Sequence, residues 1–115
     1  MENNSVTING ITFINCTPHP VTIDGIGTIV PSGVIPRVSM KRVEQPAIAG
    51  CIRFFTQSKG EVAGLPDYQE GTIIIVSGMV VDALGDRRLD CVRPDTEDAD
   101  RNEKGHIVSV KGLAR

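Results

Sequence analysis

The stretch "IRFFT", Ile52 to Thr56, sets Arg53, Phe54 and Phe55 side by side. Neighbours on a strand point to opposite faces, so Arg53 and Phe55 share one face while Phe54 takes the other and is expected to enter the core. An arginine beside an aromatic on one exposed face suits a compact anion with a flat ring, because guanidinium forks onto phosphate and a planar side chain stacks. The plainer reading buries both phenylalanines and leaves Arg53 solvated. In "GDRRLDCVRPDT", Arg87, Arg88 and Arg93 surround the exit from a short helix. Either they complement the negative end of the helix dipole as solvated charge, or at least one clamps a phosphate. Arg101 and Asn102, in "DADRNEKG", lie in a loop with five acids; Arg101 either pairs with Asp98 or Asp100 or reaches a neighbouring subunit's ligand.

"NCTPHPVTID" fixes His19 between Pro18 and Pro20 at a strand end. Each proline locks its own φ and pushes the preceding residue out of the helical region, so Thr17 and His19 are both extended. Three roles are open to His19: holding backbone, touching a ligand or an interface, or metal binding and catalysis. The only other histidine, His106, is far off in sequence. Neither has a carboxylate or thiol at ligand spacing, so no metal site is expected. Ser77 in "VSGM" lacks the G-x-S-x-G elbow, and "GIGTIV" is not followed by a helix. The acidic run from Asp95 to Asp100 lacks the ligand spacing and central glycine of a calcium loop. These patterns describe a binder that needs no cofactor, not an enzyme.

The elements that must carry these residues are mostly strands. "VTINGITFIN" alternates around Asn9-Gly10 and predicts a hairpin over residues 5 to 15. Val21 and Ile23 before Asp24-Gly25, then Thr28 to Val30, predict a second. "GVIPRVSMKRVEQ" reads as an edge strand because of Pro36. Cys51 to Gln57 is extended, followed by a Ser58-Lys59-Gly60 turn and a short return. Thr72 to Val76 is an apolar run fit for the buried centre of a sheet. Ser77 caps one helix to Leu84 that buries Met79, Val80, Ala83 and Leu84, and Gly85 ends it in the left-handed conformation. A short strand, a polar loop of about a dozen residues, a Glu103-Lys104-Gly105 turn and a strand near Ile107 to Val110 close the chain. Seven or so strands and one helix make an α+β domain, mainly antiparallel β-sheet.

The 115 residues, 40% apolar, make one domain with one core. Aromatic residues are only 3%, so that core is aliphatic. A net charge of −2 is the wrong sign for a phosphate-backbone binder, so DNA and RNA are not expected partners. Cys16, Cys51 and Cys91 fit neither a disulfide framework nor a metal motif; each is read as a small apolar packer, reduced in a cytosol. "MENNSVTING" has no basic flank before an apolar run, and no stretch approaches the ~20 residues of a membrane span, so a cytoplasmic protein without membrane contact is expected.

Five pieces in order, "CTPHPVTI", "IVPSGVIPRVS", "GEVAGLPDYQEGTIIIVS", "DRRLD" and "DRNEKGHIVSVKGLAR", cover nearly all of Cys16 to Arg115. They resemble a family of small phage and prophage proteins with "LTPHPVTI"-like, "GEVxGLPxxxxGTIYIVS" and "VRDExGxIVGVKGF" segments. Through it the chain resembles the first type of phage Thoeris anti-defence protein, a sponge for the cyclic ADP-ribose signal of bacterial TIR-domain enzymes. The resemblance implies a homo-oligomer, a hexamer in known cases. It implies a cyclic nucleotide held uncleaved between subunits by arginines and a stacking aromatic, and cyclic oligonucleotides at separate sites in some members. On that basis Arg53, Phe55, Arg87, Arg88, Arg93, Arg101, Asn102 and His19 are the candidate ligand-binding residues, in the cytoplasm of a phage's host. Ile74 stands where the family often has Tyr, so either another residue stacks the base or the ligand differs. The alternative is a phage structural or protein-interaction module with no small-molecule ligand.

Overall fold

Asn9 and Gly10 have φ of 51° and 83°, the paired positive values of a type I′ turn, and they join β1 (Ser5–Ile8) to β2 (Ile11–Asn15) in the expected hairpin. The structure is a computed structural model describing residues 5–97 and 99–115. The second hairpin, β3 (Val21–Ile23) and β4 (Gly27–Ile29), also forms as expected. Then come β5 (Arg37–Ile48), β6 (Ile52–Ala63), β7 (Thr72–Ile75), α1 (Gly78–Leu84), β8 (Cys91–Pro94), β9 (Asp100–Arg101), β10 (Ile107–Ser109) and β11 (Leu113–Ala114). The fold is α+β, mostly strand with a single short helix among the described residues. Five of its strand pairs are antiparallel.

The main sheet runs β1-β2-β7-β8-β11, and β7 pairs parallel with both β2 and β8. A parallel centre is covered on both faces, which is why Thr72 to Val76 reads as an unbroken apolar run. Ile74 packs with Cys16, Val76, Cys91 and the Val80, Val81 and Leu84 face of α1; Ile75 points the other way, into Val21, Ile23, Ile29 and Val110. Ile74 is 1% exposed, so its side chain belongs to the core and stacks no base. Ser77 caps α1 by accepting from the Val80 amide at 3.4 Å. Gly85 ends the helix at φ 56° and ψ −134°, a positive φ but not the left-handed helical cap expected. The buried face of α1 is rotated from the expected one, with Val81 in the core and Met79 mostly exposed.

The largest departure from the sequence reading is an arm. No turn occurs at Ser58-Lys59-Gly60: β6 runs straight through, and the chain reverses earlier, at Ala49-Gly50, with φ of 55° and 73°. Gly60 marks a bulge instead. The β5–β6 register slips beyond Val38↔Val62, Ser39 Oγ donates to the Glu61 carbonyl, and a Cβ on Gly60 would run into the Ser39 side chain. Pro46 falls in a second irregularity between Gln45 and Ile48, where a missing amide breaks no regular pair. Val38 and Val62 root the arm against the α1 side of the core, and its strands run ~36 Å from there to the turn. The radius of gyration is therefore 17.5 Å over a 59 × 38 × 24 Å envelope, against about 13 Å for a compact chain of this size.

Three smaller corrections follow from long-range pairing. The polar loop after β8 contains β9, which pairs with β10, and the chain end adds β11 to the main sheet, giving eleven strands among the described residues rather than seven. Phe54 does not enter the core; it is half-buried on the arm. Cys16 and Cys91 pack in the core as expected, and burial pushes the Cys91 thiol up to about 11, but Cys51 is exposed beside the arm's turn.

Candidate functional site

Strand alternation on the arm brings Arg53 and Phe55 to one face, as their spacing predicts, and the β5 register adds Arg42 and Glu44, since Glu44 lies opposite Phe55 and Arg42 opposite Gln57. The Arg42 guanidinium carbon lies 4.0 Å from the Phe55 ring centroid and that of Arg53 5.0 Å. Arg53 forks onto Glu44, Nε to Oε2 at 3.0 Å and Nη2 to Oε1 at 3.2 Å. The pair is open to solvent, the two side chains 70% and 51% exposed. Two cations thus gather at one aromatic ring, one of them paired with a solvent-exposed carboxylate. Such a cluster offers planar donors to an anion and flat guanidinium surfaces to a ring. Arg42 was not a sequence candidate: eleven residues separate it from Arg53, and only the Ala49-Gly50 turn, which the sequence reading missed, puts them together.

The other arginines are engaged elsewhere. Arg87 reaches back to the end of α1, donating Nη2 to the Ala83 carbonyl at 2.6 Å and Nε to the Leu84 carbonyl at 3.1 Å, the helix-end role set beside phosphate binding. Arg88 forks onto Asp90 with two 2.9 Å bonds and gives a third 2.9 Å bond to the Pro66 carbonyl. Asp90 is 6% exposed, and the Arg88 hydrogen bonds hold its carboxyl below the usual 3.8 against the opposing effect of burial. Arg93 donates to the Pro94 carbonyl at 3.4 Å. Arg101 Nη1 donates to the Gly105 carbonyl at 2.9 Å; Asp98, one of its two expected partners, lies outside the described residues, and the other, Asp100, takes Ser109 and Lys111. Asn102 closes the β9–β10 turn, its Oδ1 accepting the Lys104 and His106 amides.

The rigid His19 owes its setting to Asn15, which sequence reasoning did not single out. Asn15 is fully buried and donates Nδ2 to the His19 carbonyl at 2.9 Å and to the Ile29 carbonyl at 2.8 Å, while Oδ1 accepts from the Thr17 amide and hydroxyl. The Thr17 hydroxyl also bonds the His19 carbonyl. One buried amide thereby ties the end of β2 to the Pro-His-Pro segment and to β4. The signal in the sequence was the polar Asn15 closing an apolar alternation. The exposed His19 lines a groove of about 460 Å³ with Pro20, Ser77, Thr96, Ile107 and Val108. Among the described residues this lining holds no Lys, Arg, Asp or Glu; its polar groups are His19 and the Thr17, Thr22, Ser77, Thr96 and Ser109 hydroxyls.

Of the eight sequence candidates, then, only Arg53 and Phe55 meet as an open cluster. Among the described residues no group of three or more His, Cys, Asp or Glu is placed to hold a metal ion, and no helix is long and apolar enough to cross a membrane. No family model, curated protein or solved structure matches the chain.

Proposed function

We propose that the protein is a non-enzymatic sponge that binds and sequesters a cyclic nucleotide signal of the glycocyclic ADP-ribose type, as the resemblance to phage anti-defence proteins implies, in the cytoplasm of a phage's host. The observation that carries this reading is the exposed Arg42–Phe55–Arg53 cluster. Its two guanidinium groups meet phosphate oxygens through charge-assisted bonds, and their outer planes give a purine a surface to lie on. Glu44 holds the Arg53 fork in the free protein, as an anionic stand-in that the ligand's phosphate displaces. A second reading, an interaction module with no small ligand, is favoured by the uncovered apolar residues on the arm's opposite face.

One experiment separates them. The protein is incubated with a panel of cyclic nucleotides, the free pool measured, and the protein then heat-denatured. Depletion with release of intact nucleotide supports the sponge. Depletion with altered nucleotide overturns it in favour of a hydrolase, and absence of depletion in favour of the interaction module.

A further inference from the structure

Strands β2, β7 and β8 run parallel, with Asn15 beside Ile75 and Ile75 beside Val92, so their carboxyl ends lie along one edge of the main sheet. The His19 groove sits on that edge. Thr17 to Pro20 follow β2, Ser77 follows β7, and Pro94 and Thr96 stand at and just beyond the end of β8, while Ile107 and Val108 of β10 supply a further wall. Parallel strands gather ligands at this end, because each delivers its outgoing loop there. The volume, about 460 Å³, is that of a small-molecule site. The buried Asn15 amide holds the His19 carbonyl, so the Pro-His-Pro wall is set before any ligand arrives.

The hydrogen bonds within the lining decide which polar groups are left for a ligand. Thr17 is used on Asn15 and the His19 carbonyl, Thr22 on Thr28, and Ser109 on Asp100. Among the described residues the His19 imidazole and the Thr96 hydroxyl have no partner, and Ser77, whose Oγ accepts the Val80 amide, keeps its proton to donate. No charged side chain in the lining balances a charged ligand. Pro20, Ile107 and Val108 add hydrocarbon, the last two 41% and 52% exposed. A flat, uncharged heterocycle meets both demands: its face lies on hydrocarbon, and its edge pairs with hydroxyls and an imidazole.

We infer that the His19 groove is a second site, separate from the arm, for an uncharged heterocycle of nucleobase or nucleoside size. Its face lies on Pro20, Ile107 and Val108, and its edge meets His19, Ser77 and Thr96. The arm cluster selects by charge, whereas this groove selects by shape and by uncharged hydrogen bonds. The site needs nothing from Arg42, Arg53 or Phe55 and stands or falls apart from the sponge reading.

The test titrates adenosine, and separately adenosine monophosphate, into isotope-labelled protein and follows the amide signals of His19, Ser77, Thr96 and Val108 by NMR. Adenosine is expected to shift these signals saturably and to leave those of Arg53 and Phe55 unmoved. The monophosphate is expected to bind the groove at least about tenfold more weakly, since no lining cation offsets the lost hydration of its phosphate. His19→Ala and Thr96→Val, both at exposed positions and checked for fold by thermal melting, are each expected to weaken adenosine at least about threefold, the loss of one hydrogen bond. In the combined Arg42→Ala, Arg53→Ala, Phe55→Ala variant the adenosine shifts persist. Absence of saturable shifts at the groove overturns the inference, as does wild-type affinity in both single variants. Monophosphate binding in the groove as tight as that of adenosine overturns the uncharged class. If either single variant fails to fold, Val108→Arg, at a half-exposed wall position, takes its place with the same expected loss.

Discussion

In the body, Arg88 forks onto Asp90 with side chains 20% and 4% exposed; on the arm, Arg53 forks onto Glu44 with side chains 70% and 51% exposed. The bonding pattern is nearly the same, and the surroundings decide what each pair does. Around Arg88 water is largely excluded and the Pro66 carbonyl takes a third bond, so the pair closes the fold and has little to offer a ligand. Around Arg53 the carboxylate is one anion among those that could sit there, and exchanging it costs little. Of these two arginines, only Arg53, whose carboxylate partner is left in water, is open to a ligand.

The comparison breaks most sharply at Asp90. Asp90→Ala leaves a mostly buried guanidinium unpaired and is expected to cost about 3 kcal/mol in urea unfolding. A loss no larger than that of a surface pair would erase the distinction between the two forks. The same pair carries a pH signature. Since the folded Asp90 carboxyl titrates below the usual 3.8, its contribution is complete above about pH 5, falls as the pH drops through 3.8 and is lost once the pH passes the lower folded value. Melting curves from pH 6 to pH 2 should show a larger loss in wild type than in Asp90→Ala, where Asp24, held low by Lys111, still titrates.

Next in size is Asn15→Ala, expected to destabilise by about 2 kcal/mol because it strands the His19 and Ile29 carbonyls. His19→Ala, which keeps the backbone carbonyl, should stay within about 0.5 kcal/mol of wild type in the same assay. Equal losses would show that the His19 side chain, not its carbonyl, is what the body uses.

The smallest expected effect is on the arm. Glu44→Gln should change stability by no more than about 0.5 kcal/mol, since exposed pairs contribute little. It should tighten binding of an anionic nucleotide by up to about fivefold, the equivalent of ~1 kcal/mol, by freeing the Arg53 fork. Weaker binding in Glu44→Gln would mean that the carboxylate positions Arg53 instead of competing for it.

What the sequence made legible follows the range of the forces involved. Asn9-Gly10, Ser77 and the Thr72 to Val76 run act through local backbone preference or burial on both faces, and all three appear where expected. The arm was hidden because Ser58-Lys59-Gly60 has turn composition while its glycine serves a bulge, and Ala49-Gly50, the true reversal, has no strong signature ahead of it. That single misplaced turn also concealed Arg42, whose approach to Phe55 depends on cross-strand register. Arg53 beside Phe55 needed only alternation, so half of the cluster was readable. The helix-end role of Arg87 was foreseen as one of two possibilities, whereas the Arg88–Asp90 fork, two residues apart, rests on burial that no short pattern announces.

The central claim is that the charged face of the arm binds a cyclic nucleotide while the arginines of the body only hold the fold. Isothermal titration of a cyclic ADP-ribose-type nucleotide into wild type and into the combined Arg42→Ala, Arg53→Ala, Phe55→Ala variant tests it most directly. The account predicts saturable binding to wild type and at least a hundredfold loss in the variant, about 2.7 kcal/mol, with an unchanged melting temperature. Equal affinity in the two proteins, or no heat of binding in wild type, would contradict it.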